Sequence, residues 1–90
     1  MRTTLNHHKS QNFRGLYTSL PEKIQRIADK NFSILKSNPY HPSFHLKQIK
    51  NFWSVRVGIN YRALGIKKDN NIIWFWIGSH RDYDKTLKNL

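Results

Sequence analysis

Proton-transfer chemistry in this chain falls mainly to histidine, because its 90 residues include no cysteine and only five Asp and Glu. Without cysteine there is no thiolate nucleophile, zinc ribbon or disulfide framework. So few carboxylates also weigh against a nuclease built on several acid-bound metals, and the sequence calls for no metal or other cofactor. His80 directly follows the apolar run IIWFWIG and Ser79, where a side chain leaves a rigid strand for solvent. An imidazole there suits general acid or base work near neutral pH. The alternative is a surface histidine that caps a strand. Arg62 opens the segment YRALGIK, and its planar fork of donors matches a phosphate better than a point charge does. Arg56, on the polar phase of the preceding segment, reaches the same sheet face. Two solvated arginines on an open face are the competing reading.

His41 stands before Pro42, which restrains it to extended angles. His41 and His45 therefore cannot form a metal pair on one helix, although their spacing invites it. Lys47 and Lys50 read as contacts to phosphate or water, and His7-His8 as an adventitious polar pair. Sixteen Lys and Arg give a formal charge of +11, far beyond the needs of solubility, so a polyanionic partner is expected. Nine of those sixteen and two of the five acids lie in residues 1–50, so the charge is spread along the chain and is not a basic tail. No apolar run approaches the ~20 residues of a membrane span, and MRTTLNHHKS lacks the apolar stretch of a signal peptide. A cytoplasmic protein without a membrane partner is the expectation.

These side chains need a small framework. The length predicts a single domain over residues 1–90. Residues 1–12 form a short strand near Thr3–Leu5 or a loose end. Phe13, Leu16, Tyr17 and Leu20 recur at helical spacing, and Pro21 closes that segment. Ile24, Ile27, Ala28, Ile34 and Leu35 mark a second apolar stripe that Asn38-Pro39 ends, so residues 10–37 read as a helical hairpin. The period then changes. In FWSVRVGI, Val55, Val57 and Ile59 alternate with Ser54, Arg56 and Gly58, which predicts a strand whose Arg56 points away from the helices. Residues 44–50, 61–67 and 72–78 complete four consecutive strands, with a turn in KKDNN and a short helix after Asp82. Phe75 is expected in the core, together with at least one of Trp74 and Trp76; the other indole stacks on a base or contacts a protein partner. The fold class is α+β, an N-terminal helical hairpin packed on a mainly antiparallel four-stranded meander.

The order of these elements, with LPEKIQRIADK, NPYHPSFHLK, FWSVRVGINYRALG and IIWFWIGSH, resembles the RelE/ParE superfamily of bacterial toxins across residues 13–87. The resemblance implies a meander on a helical hairpin, in agreement with the residue-by-residue reading. RelE-like members cleave messenger RNA, usually on the ribosome, whereas ParE-like members poison DNA gyrase. Gly78-Ser79-His80 resembles the Gly-Thr-His strand ending of YafQ-like toxins, which implies that His80 is catalytic. Tyr61-Arg62 resembles the segment in which RelE- and YoeB-like toxins carry a phosphate-binding arginine, and His41-Pro42 a His-Pro step whose histidine joins the YafQ-like site. Lys47 and Lys50 fall where RelE-like members place lysines that substitute for a base. The glutamate base of YoeB-like members has no counterpart, and Tyr83 lies three residues after His80, not beside it.

The resemblance thus implies a metal-independent messenger-RNA endonuclease. His80, Arg62, Arg56 and His41 are its catalytic candidates; Lys47, Lys50, His45 and Tyr83 are its RNA contacts. It further implies a cognate antitoxin with an acidic, partly disordered segment that folds on contact. A gyrase inhibitor acting through a protein surface and a noncatalytic basic nucleic-acid-binding module are the alternatives.

Overall fold

The computed structural model describes residues 6–38 and 44–90. In chain order the elements are β1 (Asn6–Lys9), α1 (Gln11–Thr18), α2 (Glu22–Ser37), β2 (Lys47–Ile49), β3 (Phe52–Val57), β4 (Tyr61–Lys68), β5 (Asn71–Ser79) and α3 (His80–Lys88). One sheet runs in the order β1-β5-β4-β3-β2. The antiparallel meander β2 to β5 on a helical hairpin is as the sequence predicts, but the sheet has five strands, not four. β1 adds to β5 in parallel, pairing Asn6 with Asn71 and Lys9 with Trp74. Its sequence NHHK has no apolar alternation to reveal it. The expected strand at Thr3–Leu5 lies outside the described residues.

Ser10 caps α1 by accepting from the Phe13 amide at 3.1 Å, satisfying one of the donors a helix start leaves open. The Gln25 side chain donates to the Tyr17 and Leu20 carbonyls, both at 3.1 Å, and so ties α2 to the end of α1. The apolar faces of the hairpin meet one side of the sheet. Phe13, Ala28, Phe32 and Leu35 pack there with Val55, Val57, Ala63, Ile72, Trp74 and Ile77. Trp74 is wholly buried, with the Phe32 ring edge-on at 5.4 Å. Gly65, its cross-strand partner, is needed for that approach: a Cβ there would lie 2.9 Å from the Trp74 ring.

The Phe75 expectation is corrected. A bulge interrupts the β4–β5 register at Leu64/Gly65, so Trp74 pairs with Gly65, Trp76 pairs with Leu64, and Phe75 is the extra residue. It turns to the far side of the sheet, half-buried, with its ring 5.7 Å from that of Phe52. The Asn12 side chain takes up its carbonyl at 2.8 Å, just past the end of β1.

That far side is closed by α3, which begins at His80, earlier than the sequence suggests. Ser79 caps it by accepting from the Asp82 amide; Asp82 sits in its first turn and Lys85 and Lys88 in its last, matching the helix dipole. Tyr83 is buried beneath it and donates its hydroxyl to Ser54 Oγ at 2.9 Å. Leu64, fully buried, completes this second, smaller core.

Candidate functional site

Arg56 and Arg62 are direct cross-strand partners, and Arg62 in turn faces Gly78 of β5. Side chains alternate, so Lys47, Ser54, Arg56 and Arg62 share the sheet side that carries α3. Arg56 thus points away from α1 and α2 as expected, toward a helix whose start the sequence placed too late. Like charges directly opposite on a sheet repel. This pair is also half-buried. Arg62 is held by donating Nη1–H to the carbonyls of Tyr61 at 2.8 Å and Ile59 at 3.3 Å. Arg56 Nε is buried and, among the described residues, has no hydrogen-bond acceptor. Burial, and then Arg56, push the Arg62 guanidinium below its ordinary pKa, while Tyr83 and Asp84 pull it back. Two cations held together with an open donor attract an anion, because a bound anion relieves both the repulsion and the unmet bond.

His80 is the first residue of α3 and is exposed. Its amide donates to the Asn60 carbonyl at 2.7 Å, which ties the helix start to the β3–β4 turn. Its ring stacks on Tyr83, centroids 6.2 Å apart and planes 22° from parallel. Tyr83 therefore links the imidazole to the sheet through Ser54. Tyr83, expected among the RNA contacts, is buried, with its hydroxyl on Ser54 and its ring beside that of His80.

The remaining candidates separate. Lys50, with φ +56° in the β2–β3 turn, donates to the Leu87 carbonyl near the end of α3 at 3.2 Å. Its charge is partly committed to that helix end. Lys47 is exposed on β2, on the arginine side. His45 is exposed with φ +47°, outside any strand. His41 lies outside the described residues. A cleft of about 500 Å³ runs beside α3 past Tyr61, Trp76, Ser79 and Asp82, but His80, Arg56 and Arg62 do not line it. His80 is exposed, while the two arginines are half-buried on the sheet side that carries α3. Asp84 escaped the sequence reading. It stands four residues after His80 on α3, where such residues share a face, and its charge is felt at Arg62. The i, i+4 spacing would have found it. Among the described residues no group of His, Asp and Glu is arranged to hold a metal ion, and no helix is long and apolar enough to cross a membrane.

A family model described as a ParE-like toxin domain matches residues 22–85. No curated protein matches the chain. Among solved structures, RelB–RelE antitoxin–toxin complex from Methanococcus jannaschii is similar with a TM-score of 0.71 and 19% identity, over 88% of this chain and 96% of that one. A free-state mutant of E. coli RelE gives 0.67 at 11% identity over 97% and 98%. YafQ from E. coli gives 0.66 at 11% over 88% and 97%. At these identities the likeness is one of fold.

Proposed function

The chain belongs to the ParE-like toxin family, a branch of the RelE/ParE superfamily of toxins, and from that premise we propose that it is a metal-independent endoribonuclease of a toxin–antitoxin pair. The observation that carries this reading is the half-buried Arg56–Arg62 pair on the sheet face where α3 begins at His80. A gyrase-binding surface has no need of it.

In the reaction, the 2′-oxygen of one nucleotide attacks the adjacent phosphorus as its proton is removed. The P–O5′ bond breaks, and the departing 5′-oxygen takes up a proton. A 2′,3′-cyclic phosphate and a 5′-hydroxyl result. His80 carries one of the two protons, with its ring positioned by Tyr83. Arg62 and Arg56 neutralise the charge that builds on the phosphorane oxygens. Asp84, on the same helix face as His80, is the added candidate for the second proton. The substrate is messenger RNA, alone or on the ribosome, and an acidic antitoxin segment covers the cationic face. The similar structure from Methanococcus jannaschii is a complex of RelE with the antitoxin RelB, which supports a partner of that kind.

Incubation with messenger RNA and with programmed ribosomes, in EDTA, tests the reading. Ends bearing cyclic phosphate and 5′-hydroxyl are expected, and intact RNA under both conditions would overturn it. The match to a ParE-like model favours a second reading, inhibition of DNA gyrase by protein binding. Loss of supercoiling at stoichiometric protein with RNA left whole would establish that one instead.

A further inference from the structure

His7 sits in β1 against Trp74, their rings parallel within 1° and centroids 6.2 Å apart. Trp74 Nε1 can only donate, and it donates to His7 Nδ1 at 3.0 Å. A neutral His7 must therefore carry its proton on Nε2. That Nε2–H is buried and finds no acceptor among the described residues. A buried donor with nothing to bond is costly enough to demand an explanation.

Its surroundings are cationic. His7, His8, Lys9, Arg14 and Lys36 line one cleft of about 320 Å³, together with the apolar Phe32. They come from three elements, β1, α1 and α2. Lys9 Nζ lies 5.3 Å over the Phe32 ring. Among the described residues the one ion pair is Arg26–Glu22, so none of these cations has a carboxylate within reach. Asp29 lines the neighbouring cleft, beside Lys9 and Arg14, but accepts from the Tyr17 hydroxyl at 2.7 Å. His8 is tied to Asn71 at 3.1 Å.

We propose that this cleft is a phosphate-binding site, in which His7 Nε2–H, Lys9, Arg14 and Lys36 converge on the oxygens of one phosphate group. A lone carboxylate brings two oxygens and one charge. Phosphate brings up to four oxygens set tetrahedrally, which suits donors arriving from three elements, one of them a guanidinium fork. The ligand is either a free phosphate compound or a phosphate of a nucleic-acid strand. The site lies at the β1 edge of the sheet, uses neither His80 nor Arg62, and stands whether or not the ribonuclease reading does.

Nitrogen-edited NMR of the histidine rings in the full chain tests it, with inorganic phosphate, a fully 2′-O-methylated oligoribonucleotide and an oligoglutamate peptide as probes. Inorganic phosphate is expected to shift the His7 Nε2–H signal saturably. Arg14→Gln and Lys36→Gln, both exposed positions, should each weaken that effect about tenfold, the worth of one charge-assisted hydrogen bond. Arg62→Lys should leave it intact. The same shift from the oligonucleotide at lower concentration assigns the phosphate to a nucleic-acid backbone, and a response to inorganic phosphate alone assigns it to a small ligand. No saturable shift with either phosphate probe overturns the proposal. So does an unaltered response in both glutamine variants, or a response to oligoglutamate at lower concentration than to either phosphate probe.

Discussion

Arg62 and His80 are asked for different things, and substitution separates them. His80 is exposed at a helix start and makes no side-chain hydrogen bond among the described residues, so little of the fold depends on its ring. His80→Ala is expected to slow RNA cleavage by roughly 10²–10⁴, the usual contribution of a general acid or base, with RNA affinity nearly unchanged. Single-turnover kinetics beside a binding titration reads both quantities. Arg62→Lys keeps the charge but loses the fork that reaches two carbonyls and a phosphate together, so cleavage should still fall. Lys30→Ala removes one charge from an exposed position on α2 and should change little. Equal losses in all three would reduce the site to nonspecific charge. At this scale the sequence reveals Arg56 and Arg62 because alternation along a strand is a two-residue period that survives in the residue types. It does not reveal that Tyr83 is spent on Ser54, a contact between residues far apart in the chain.

At the scale of elements, α3 is the one that most needs its neighbours. A helix of nine residues is marginal in water, so α3 depends on its capping Ser79, the Lys50–Leu87 contact and above all Tyr83. Tyr83→Phe leaves the Ser54 hydroxyl buried without its donor and should cost about 1–2 kcal/mol in urea unfolding, and Ser54→Ala about as much. The double variant should lose less than the sum, since an apolar pair leaves no orphaned group. Additive losses would mean that the hydrogen bond does not couple helix to sheet. Because His80 stacks on the Tyr83 ring, which Tyr83→Phe keeps, cleavage should fall further in Tyr83→Leu, which removes the ring, than in Tyr83→Phe. The helical hairpin is legible because it has one wet face and one dry face, and β3 because polar Ser54 and Arg56 alternate with apolar Val55 and Val57 although α3 covers the polar side, which stamps a period on the sequence. β5 carries apolar side chains on both faces, Ile73 among them although it is exposed, so IIWFWIG shows no alternation of residue type, and the bulge that moves Phe75 to the far face leaves no mark in it. β1 fails for the opposite reason: four polar residues at an edge carry no pattern, although they pair with the strand that holds Trp74.

For the whole molecule, a charge of +11 on 90 residues means that neutralisation and stability are linked. RNA affinity should fall steeply with salt, at about 0.7 of a log unit per log unit of salt for each phosphate contacted, and His80→Ala should keep that slope. Acid adds a charge where the fold resists it most. Burial first, then Lys36, His8 and Lys9, hold the His7 pKa below its ordinary value of 6.5 in the folded chain. The unfolded chain therefore takes up this proton at higher pH than the folded one. The stability that a neutral His7 contributes is present above 6.5 and is lost as pH falls through the interval between the unfolded and folded pKa values. Thermal unfolding at about pH 7.5 and about pH 5 should show a lower midpoint in acid, and His7→Gln should shrink the difference, since a glutamine carbonyl still accepts from Trp74 but does not titrate. If His7→Gln kept the full acid loss, the destabilising proton would have to bind elsewhere. A phosphate held by His7 gives the opposite sign. It favours the protonated ring and raises the folded pKa, so saturating phosphate should reduce the acid loss in the unsubstituted chain and have no such effect once His7 is replaced.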